Sequence, residues 1–187
     1  EYFIKGTGLM TYPASDIGVF FKTNSNEKTP NAQIHFAPGA GEYKKSGAMK
    51  PTSGIIASIC NLRPESRGHI ELQSSDPNIA PKIFANYLTE EKDIKHMIEG
   101  VNKIRKVFNT PTMKNLGATE IQPGSIYQTD NEIDEFIRNE SLSVYHPIGT
   151  CKMGNGAECV VDQDLRVKGI RGLRVADASI FPTIISG

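Results

Sequence analysis

The sequence predicts an α+β fold, with a mainly antiparallel sheet and flanking helices. Strand-like runs and helical patterns occupy separate blocks of the chain and do not alternate, which favours α+β over a parallel α/β sheet. The strand-like runs are short and are separated by Gly, Pro, Asn and Ser. The chain has 187 residues, enough for one domain or one and a half. A real hydrophobic core is therefore available to it.

The first predicted elements are strands. Residues Ile17–Lys22 and Ala32–Phe36 read as two short strands between turn-forming residues. Ile55–Leu62 and His69–Gln73 are also strand-like, and the Arg63–Gly68 segment between them has the composition of a turn. These last two runs are predicted to form a hairpin with each other.

Two helices follow the predicted strands. The stronger spans residues 88–110, with Thr89 as its expected cap and His96 off its apolar face and expected in solvent. Its apolar residues recur at helical spacing: Ile94, Met97, Ile98, Val101, Ile104, Val107 and Phe108. The shorter helix begins near Thr129, which together with Glu132 has the spacing of a capping box.

Composition and charge exclude several function classes. Lys plus Arg and Asp plus Glu number 21 each, so no basic field would attract nucleic acid. No apolar run reaches the roughly 18 residues of a membrane span. The chain lacks an initiator Met and ends in mid-motif, so we interpret it as a fragment of a longer protein. Asn139 begins a glycosylation triplet, which matters only if the protein is secreted.

The three cysteines do not form a disulfide framework. Cys151 and Cys159 could pair across a short loop, although Cys151 is expected to be a buried structural thiol. His146 with these two cysteines gives the spacing H-x4-C-x7-C, which matches no common zinc pattern. We therefore expect no metal site.

Three residues are candidates for chemistry on local grounds. His146 precedes Pro147, which pushes its backbone toward an extended conformation, so the imidazole suits either a positioned general base or a satisfied core histidine. Asp177 follows the strand-like run Leu173–Val175 and could accept hydrogen bonds from a ligand hydroxyl, or simply form a turn or cap a helix. His35 lies on a strand-like run and could line a pocket or be structural.

The segment "YHPIGTCKMG" and the run "VVDQDLRVKGIRGLRVADASIFPTIISG" resemble the C-terminal signature of the glucose–methanol–choline (GMC) oxidoreductases. Within that family the resemblance is to the insect glucose-dehydrogenase type. Residues 63–108 are similar to the family's substrate-domain hairpin, the turn after it and its long helix. The resemblance implies a partial substrate-binding domain over residues 1–140. It also implies that residues 141–187 return to the FAD-binding domain and the active site.

The resemblance also implies roles for individual residues. His146 would take the proton of an alcohol or sugar hydroxyl while hydride passes to the N5 atom of FAD. Asp177 and Ala178 would contact the FAD chain, and Tyr145 and His35 would line the substrate pocket. An imidazole suits proton removal near neutral pH. The electron acceptor would be a quinone-like compound.

Other readings remain open at this stage. The protein could be an oxygen-using alcohol or sterol oxidase, or a binding module that keeps the fold without catalysis. The family's second catalytic residue would follow Gly187, and no G-x-G-x-x-G motif for the ADP half of FAD is present. The fragment alone is therefore expected to be inactive. The insect-type resemblance suggests a secreted, extracellular protein.

Overall fold

The computed structural model describes residues 2–8, 11, 15–43 and 49–186. The chain divides into two compact units that are interleaved in sequence. The first unit joins Glu1–Asn61 to Lys95–Ile137, and the second joins Leu62–Ile94 to Arg138–Gly187. The separate domain boundary expected after residue 140 stays a prediction. Antiparallel sheets with a few helices confirm the predicted α+β class.

The sheet of the first unit has three antiparallel strands in the order β1-β2-β3. These are β1 (Ile17–Phe21), β2 (Ala32–Tyr43) and β3 (Met49–Asn61). Ile34 of the central strand lies opposite Val19 and Ile59 and is 1% exposed, so it anchors the core of this unit. The predicted strands at Ile17–Lys22 and Ala32–Phe36 are confirmed, and β2 is longer than its predicted run.

Four helices belong to the described chain: α1 (Tyr2–Lys5), α2 (Glu91–Phe108), α3 (Pro111–Asn115) and α4 (Asp130–Glu140). The two predicted helices correspond to α2 and α4 and are confirmed. Gly100 of α2 is buried against Ile59 of β3: a Cβ at residue 100 would lie 2.3 Å from the Ile59 Cγ1 atom. Any larger residue at position 100 therefore requires the Ile59 side chain, or the helix itself, to shift.

The expectation that His96 is solvated is wrong. This histidine is only 3% exposed, because the loop between β1 and β2 covers it. Its Nε2 atom lies 3.4 Å from the Glu27 Oε1 atom, and its Nδ1 atom lies 3.4 Å from the Asn61 Oδ1 atom. Both ring nitrogens thus have polar partners, as a buried imidazole requires.

The predicted capping box at the start of α4 is confirmed. The Thr129 hydroxyl accepts a hydrogen bond from the N–H of Glu132 at 3.3 Å. The Glu132 carboxylate in turn accepts from the N–H groups of Thr129 and Gln128 at 2.8 Å each. The predicted cap at Thr89 is wrong, because its hydroxyl donates instead to the carbonyl oxygen of Asn86.

The capping box should make stability depend on pH. The N–H groups of Thr129 and Gln128 lower the pKa of Glu132 below its usual 4.5. A lowered folded-state pKa gives stability that is present above the unfolded-state pKa and is lost as acidification protonates the carboxylate. Glu132→Gln should therefore melt below the wild type at neutral pH, and this gap should close in acid. Glu135→Gln, an exposed neighbour on α4, is the control, and a gap independent of pH would contradict the prediction.

The second unit contains a small antiparallel pair, β4 (His69–Glu71) with β5 (Lys82–Phe84). The predicted hairpin between Ile55–Leu62 and His69–Gln73 is therefore wrong, since β3 pairs with β2 and β4 pairs with β5. The intervening segment bonds to the start of α2 and makes no hairpin turn.

This contact centres on Asp93, which is 1% exposed. Its two carboxylate oxygens accept from the N–H groups of Glu65 and Ser66 at 2.9 Å each, and one of them also accepts from the Ser66 hydroxyl. The Ser66 oxygen accepts in turn from the N–H groups of Thr89 and Glu90 at 3.1 Å each. The first turn of α2 is thus capped by a segment distant in sequence.

The C-terminal part of the second unit is built from isolated bridges and turns. Val161, fully buried, bridges both Met153 and Val167, and Arg166 bridges Arg174. The strand predicted at Leu173–Val175 is reduced to this bridge at Arg174. Within the described residues, no helix is both long and apolar enough to cross a bilayer.

Candidate functional site

The backbone around His146 is tightly defined. Tyr145, just before it, has φ 59°, and Gly149 has φ 85°. Pro147 fixes its own φ between them. The His146 side chain is exposed, and its imidazole makes no hydrogen bond within the described residues. His146 is therefore not a buried, satisfied core histidine but an exposed side chain whose Cα–Cβ direction is set by its backbone.

Backbone hydrogen bonds join the histidine segment to the turn that holds Asp177. The N–H of Cys151 donates to the carbonyl oxygen of Ser179 at 3.0 Å, and the N–H of Met153 donates to that of Ile180 at 2.8 Å. A Cβ at Gly149 would lie 3.4 Å from the Phe181 carbonyl oxygen, so the two segments remain close at that point. The structure thus brings together two of the segments that the sequence singled out.

Asp177 caps the 3₁₀ turn Ala178–Ile180. Its Oδ1 atom accepts from the N–H of Ser179 at 2.8 Å and from the Ser179 hydroxyl. The Ser179 hydroxyl, followed by the N–H, lowers the pKa of Asp177 below its usual 3.8, which keeps the carboxylate ionised. The Oδ2 atom of Asp177 and the N–H of Ala178 make no hydrogen bond within the described residues. An exposed acceptor and donor thus lie next to each other in the chain.

Tyr145 and His35, the predicted pocket residues, fall in different units. The Tyr145 side chain is 84% exposed, and its N–H donates to the Ser143 hydroxyl oxygen at 3.0 Å. His35 lies in β2 of the first unit, half-buried, with Gly18 and Ser58 as its strand partners. Four of the five predicted site residues therefore share the second unit, and His35 does not.

The cysteines do not form a disulfide in the structure. Cys151 and Cys159 are both free thiols, and Cys159 is buried whereas Cys151 is only half-buried. Lys152 lies between them in sequence and pairs with Glu158 at 3.4 Å. In the part of the chain that the structure describes, no three His, Cys, Asp or Glu side chains are grouped to hold a metal ion.

Tyr87 and Ser143 also contact the segment before His146, and no sequence pattern points to either of them. The Tyr87 hydroxyl donates to the Ser143 hydroxyl oxygen at 3.3 Å, and this oxygen also accepts from Tyr145. Tyr87 and Ser143 are 56 residues apart, so no local pattern connects them. The structure does distinguish the Tyr87 segment by its backbone. Asn86 and Leu88, on either side of Tyr87, have positive φ angles of 48° and 57°.

The chain is similar along its whole length to bacterial choline dehydrogenase sequences. It is 39% identical over 187 residues to an oxygen-dependent choline dehydrogenase from Cronobacter sakazakii and 40% identical to one from Klebsiella pneumoniae. Both alignments cover 100% of this chain but only 33% and 34% of those proteins. The chain thus spans about a third of the length of the curated relatives that it matches.

Solved structures of other proteins share the fold of this chain. Pyridoxine 4-oxidase from Mesorbium loti aligns with 93% of this chain and 34% of its own, at a TM-score of 0.78 and 22% identity. A fungal aryl-alcohol oxidase aligns with 85% of this chain and 25% of its own, at a TM-score of 0.67 and 32% identity. Residues 64–187 match the GMC oxidoreductase family. The chain therefore belongs to the GMC oxidoreductase family.

Proposed function

We propose that the intact protein is an FAD-dependent enzyme that oxidises an alcohol hydroxyl, with His146 as the base. The observation that supports this most directly is the exposed imidazole of His146, which has no described partner and is tied through its backbone segment to the Asp177 turn. Relatives named as choline dehydrogenases and an aryl-alcohol oxidase support the same reaction class.

The residues of the Asp177 turn fit part of an FAD molecule. An ionised carboxylate repels phosphate but accepts hydrogen bonds from hydroxyl groups. The unused Oδ2 atom of Asp177 and the unused N–H of Ala178 therefore suit the hydroxylated chain of FAD, whose hydroxyls both donate and accept. When bound, FAD supplies the two-electron oxidant that takes hydride from the alcohol carbon.

His146 would remove the proton from the alcohol oxygen. A general base must come within about 2.6–3.2 Å of the atom that it deprotonates, which requires a fixed side-chain origin and a free ring nitrogen. The backbone conformation of Tyr145 and Gly149 fixes the origin of the His146 side chain. The ring nitrogens have no hydrogen-bond partner among the described residues. Tyr145 would line the substrate pocket because its ring is exposed beside the base.

We propose a small alcohol of the choline type as the first substrate to test. The choline dehydrogenase relatives favour it, and an exposed tyrosine ring next to the base suits a quaternary ammonium group. The narrower glucose-dehydrogenase type with a quinone-like acceptor stays a prediction of the sequence, as does His35 in the pocket. The relatives described as oxygen-dependent support oxygen as the acceptor. Secretion also stays a proposal, and Asn139 is exposed for glycosylation if it occurs.

Anaerobic mixing of the intact protein with alcohols tests the proposal. Choline, glucose, an aryl alcohol and a sterol are each added, and the loss of oxidised flavin absorbance is followed. We expect choline to bleach the flavin, and peroxide to appear once oxygen is admitted. Bleaching by glucose alone would favour the glucose-dehydrogenase type. A protein that binds no FAD, or whose FAD no alcohol reduces, would contradict the proposal and support the binding-module alternative.

A further inference from the structure

We propose that Tyr87 and Ser143 are positioning residues that hold His146 in its working direction. The inference rests on the proposed function, since it concerns the same base. It assigns no direct contact with substrate or cofactor to either residue. Their effect passes through the backbone of Tyr145, the residue immediately before His146.

The Ser143 hydroxyl oxygen is the centre of this contact. It accepts one hydrogen bond from the Tyr145 N–H at 3.0 Å and another from the Tyr87 hydroxyl at 3.3 Å. Ser143 is half-buried, whereas Tyr145 and His146 are exposed, so the serine is the innermost group of the three. The backbone just before the exposed His146 is therefore hydrogen-bonded to the half-buried Ser143 side chain, which is in turn bonded to Tyr87.

Backbone conformation supports a positioning role. Among the described residues, four that are not glycine have a positive φ: Asn86, Leu88, Tyr145 and Leu165. Three of these four flank or belong to the contact between Tyr87 and the segment before His146. Asparagine tolerates a positive φ, but at Leu88 and Tyr145 such a φ is unfavourable and persists where surrounding interactions enforce it. Such conformations concentrate at functional sites.

Tyr87 is itself held from both sides. The Asn86 side-chain amide donates to the Arg67 carbonyl oxygen at 3.1 Å. The Arg138 guanidinium donates to the Leu88 carbonyl oxygen at 3.0 Å. The Tyr87 hydroxyl is thus presented from an anchored turn and can serve as a fixed point for Ser143.

Ring packing is a weaker explanation of this arrangement. Tyr87 and Tyr145 are 62% and 84% exposed, so neither residue is buried within its unit. Tyr87 and Tyr145 each donate one described hydrogen bond, and both bonds are accepted by the Ser143 hydroxyl oxygen. Without that oxygen, Tyr145 would be free to relax toward a negative φ. The direction of His146 would then change, because Pro147 holds the chain on its other side.

The test is carried out in the intact flavoprotein with Tyr87→Phe and Ser143→Ala. Moving a catalytic group by about 1 Å can cost about 10²-fold in rate. We expect Ser143→Ala to slow flavin reduction by alcohol about 10- to 100-fold and Tyr87→Phe to slow it less. The substrate concentration at half-maximal rate, the FAD content and the melting temperature should change little. Ser143→Thr keeps the hydroxyl and should retain most of the rate.

Matched controls remove a hydroxyl elsewhere. Tyr127→Phe takes away a phenol whose hydroxyl has no described hydrogen bond, and Ser141→Ala does the same for a serine two residues before Ser143. Both should reduce flavin at the wild-type rate. The double variant of Tyr87→Phe with Ser143→Ala should be no slower than Ser143→Ala alone, because both changes remove contacts to one oxygen. Neither change should slow a protein that already carries His146→Ala.

Several results would overturn the proposal. It fails if both single variants reduce flavin at the wild-type rate, if their effects multiply in the double variant, or if they persist without His146. These failures leave the proposed function intact as long as His146→Ala itself is slow. A His146→Ala variant that reduces flavin normally overturns the proposed function and the positioning role together.

Discussion

Replacing His146 by alanine in the intact flavoprotein should slow flavin reduction by alcohol about 10²–10⁴-fold while FAD stays bound. The ring is exposed and makes no described hydrogen bond, so its removal breaks no contact of the scaffold. Under the proposed function, the substitution removes only the acceptor for the hydroxyl proton. Anaerobic stopped-flow mixing, followed at the flavin absorbance, measures the rate directly.

The matched control for this variant is His69→Ala. His69 is an exposed histidine of the same unit, with its Nε2 atom 3.1 Å from the Glu71 Oε1 atom and its ring stacked on Phe84. Its removal should leave flavin reduction unchanged. Imidazole added to His146→Ala should restore part of the lost rate, because a free base can enter the vacated space. An unimpaired rate in His146→Ala would remove this residue from the mechanism.

Asp93→Ala should destabilise the protein by about 3–5 kcal/mol. The substitution leaves the N–H groups of Glu65 and Ser66 and the Ser66 hydroxyl without their acceptor. These contacts are partly buried, and a polar group left there without a partner costs up to about 1–3 kcal/mol. Urea denaturation followed by circular dichroism measures the loss.

Lys92→Ala is the control for this stability effect. Lys92 pairs with Glu65 at 2.7 Å and so joins the same two segments, but both side chains are about half exposed. An exposed ion pair of this kind contributes at most about 1 kcal/mol. Asp93→Asn, which keeps one acceptor oxygen, should fall between the two. If Asp93→Ala were as stable as Lys92→Ala, the buried carboxylate would not be what holds this segment.

Elements with a local signal were predictable from the sequence. The apolar periodicity of α2, the Thr129–Glu132 capping box and the strands at Ile17 and Ala32 all lie within short windows of the chain. Each depends on the spacing or composition of neighbouring residues, so tertiary contacts were not needed to find it. His146, Asp177 and Ala178 became candidates because they fall within one contiguous family signature, and their roles stay predictions.

The sequence-based predictions failed where a residue's contact partner is distant in sequence. The segment around Ser66 has turn-forming residues, yet it bonds to Asp93, so no hairpin forms there. His96 is off the apolar stripe of α2, but a loop carrying Glu27 covers that face of the helix. The contact of Tyr87 with Ser143 likewise depends on folding. Helical and strand periodicity report only which way a side chain points and not what later packs over it.

The close approach of Gly100 to Ile59 has a consequence for protein engineering. A larger residue at position 100 requires the Ile59 side chain to move, the helix to move outward, or a smaller residue at position 59. Positions 100 and 59 are therefore complementary in volume. A larger side chain at one should be combined with a smaller side chain at the other.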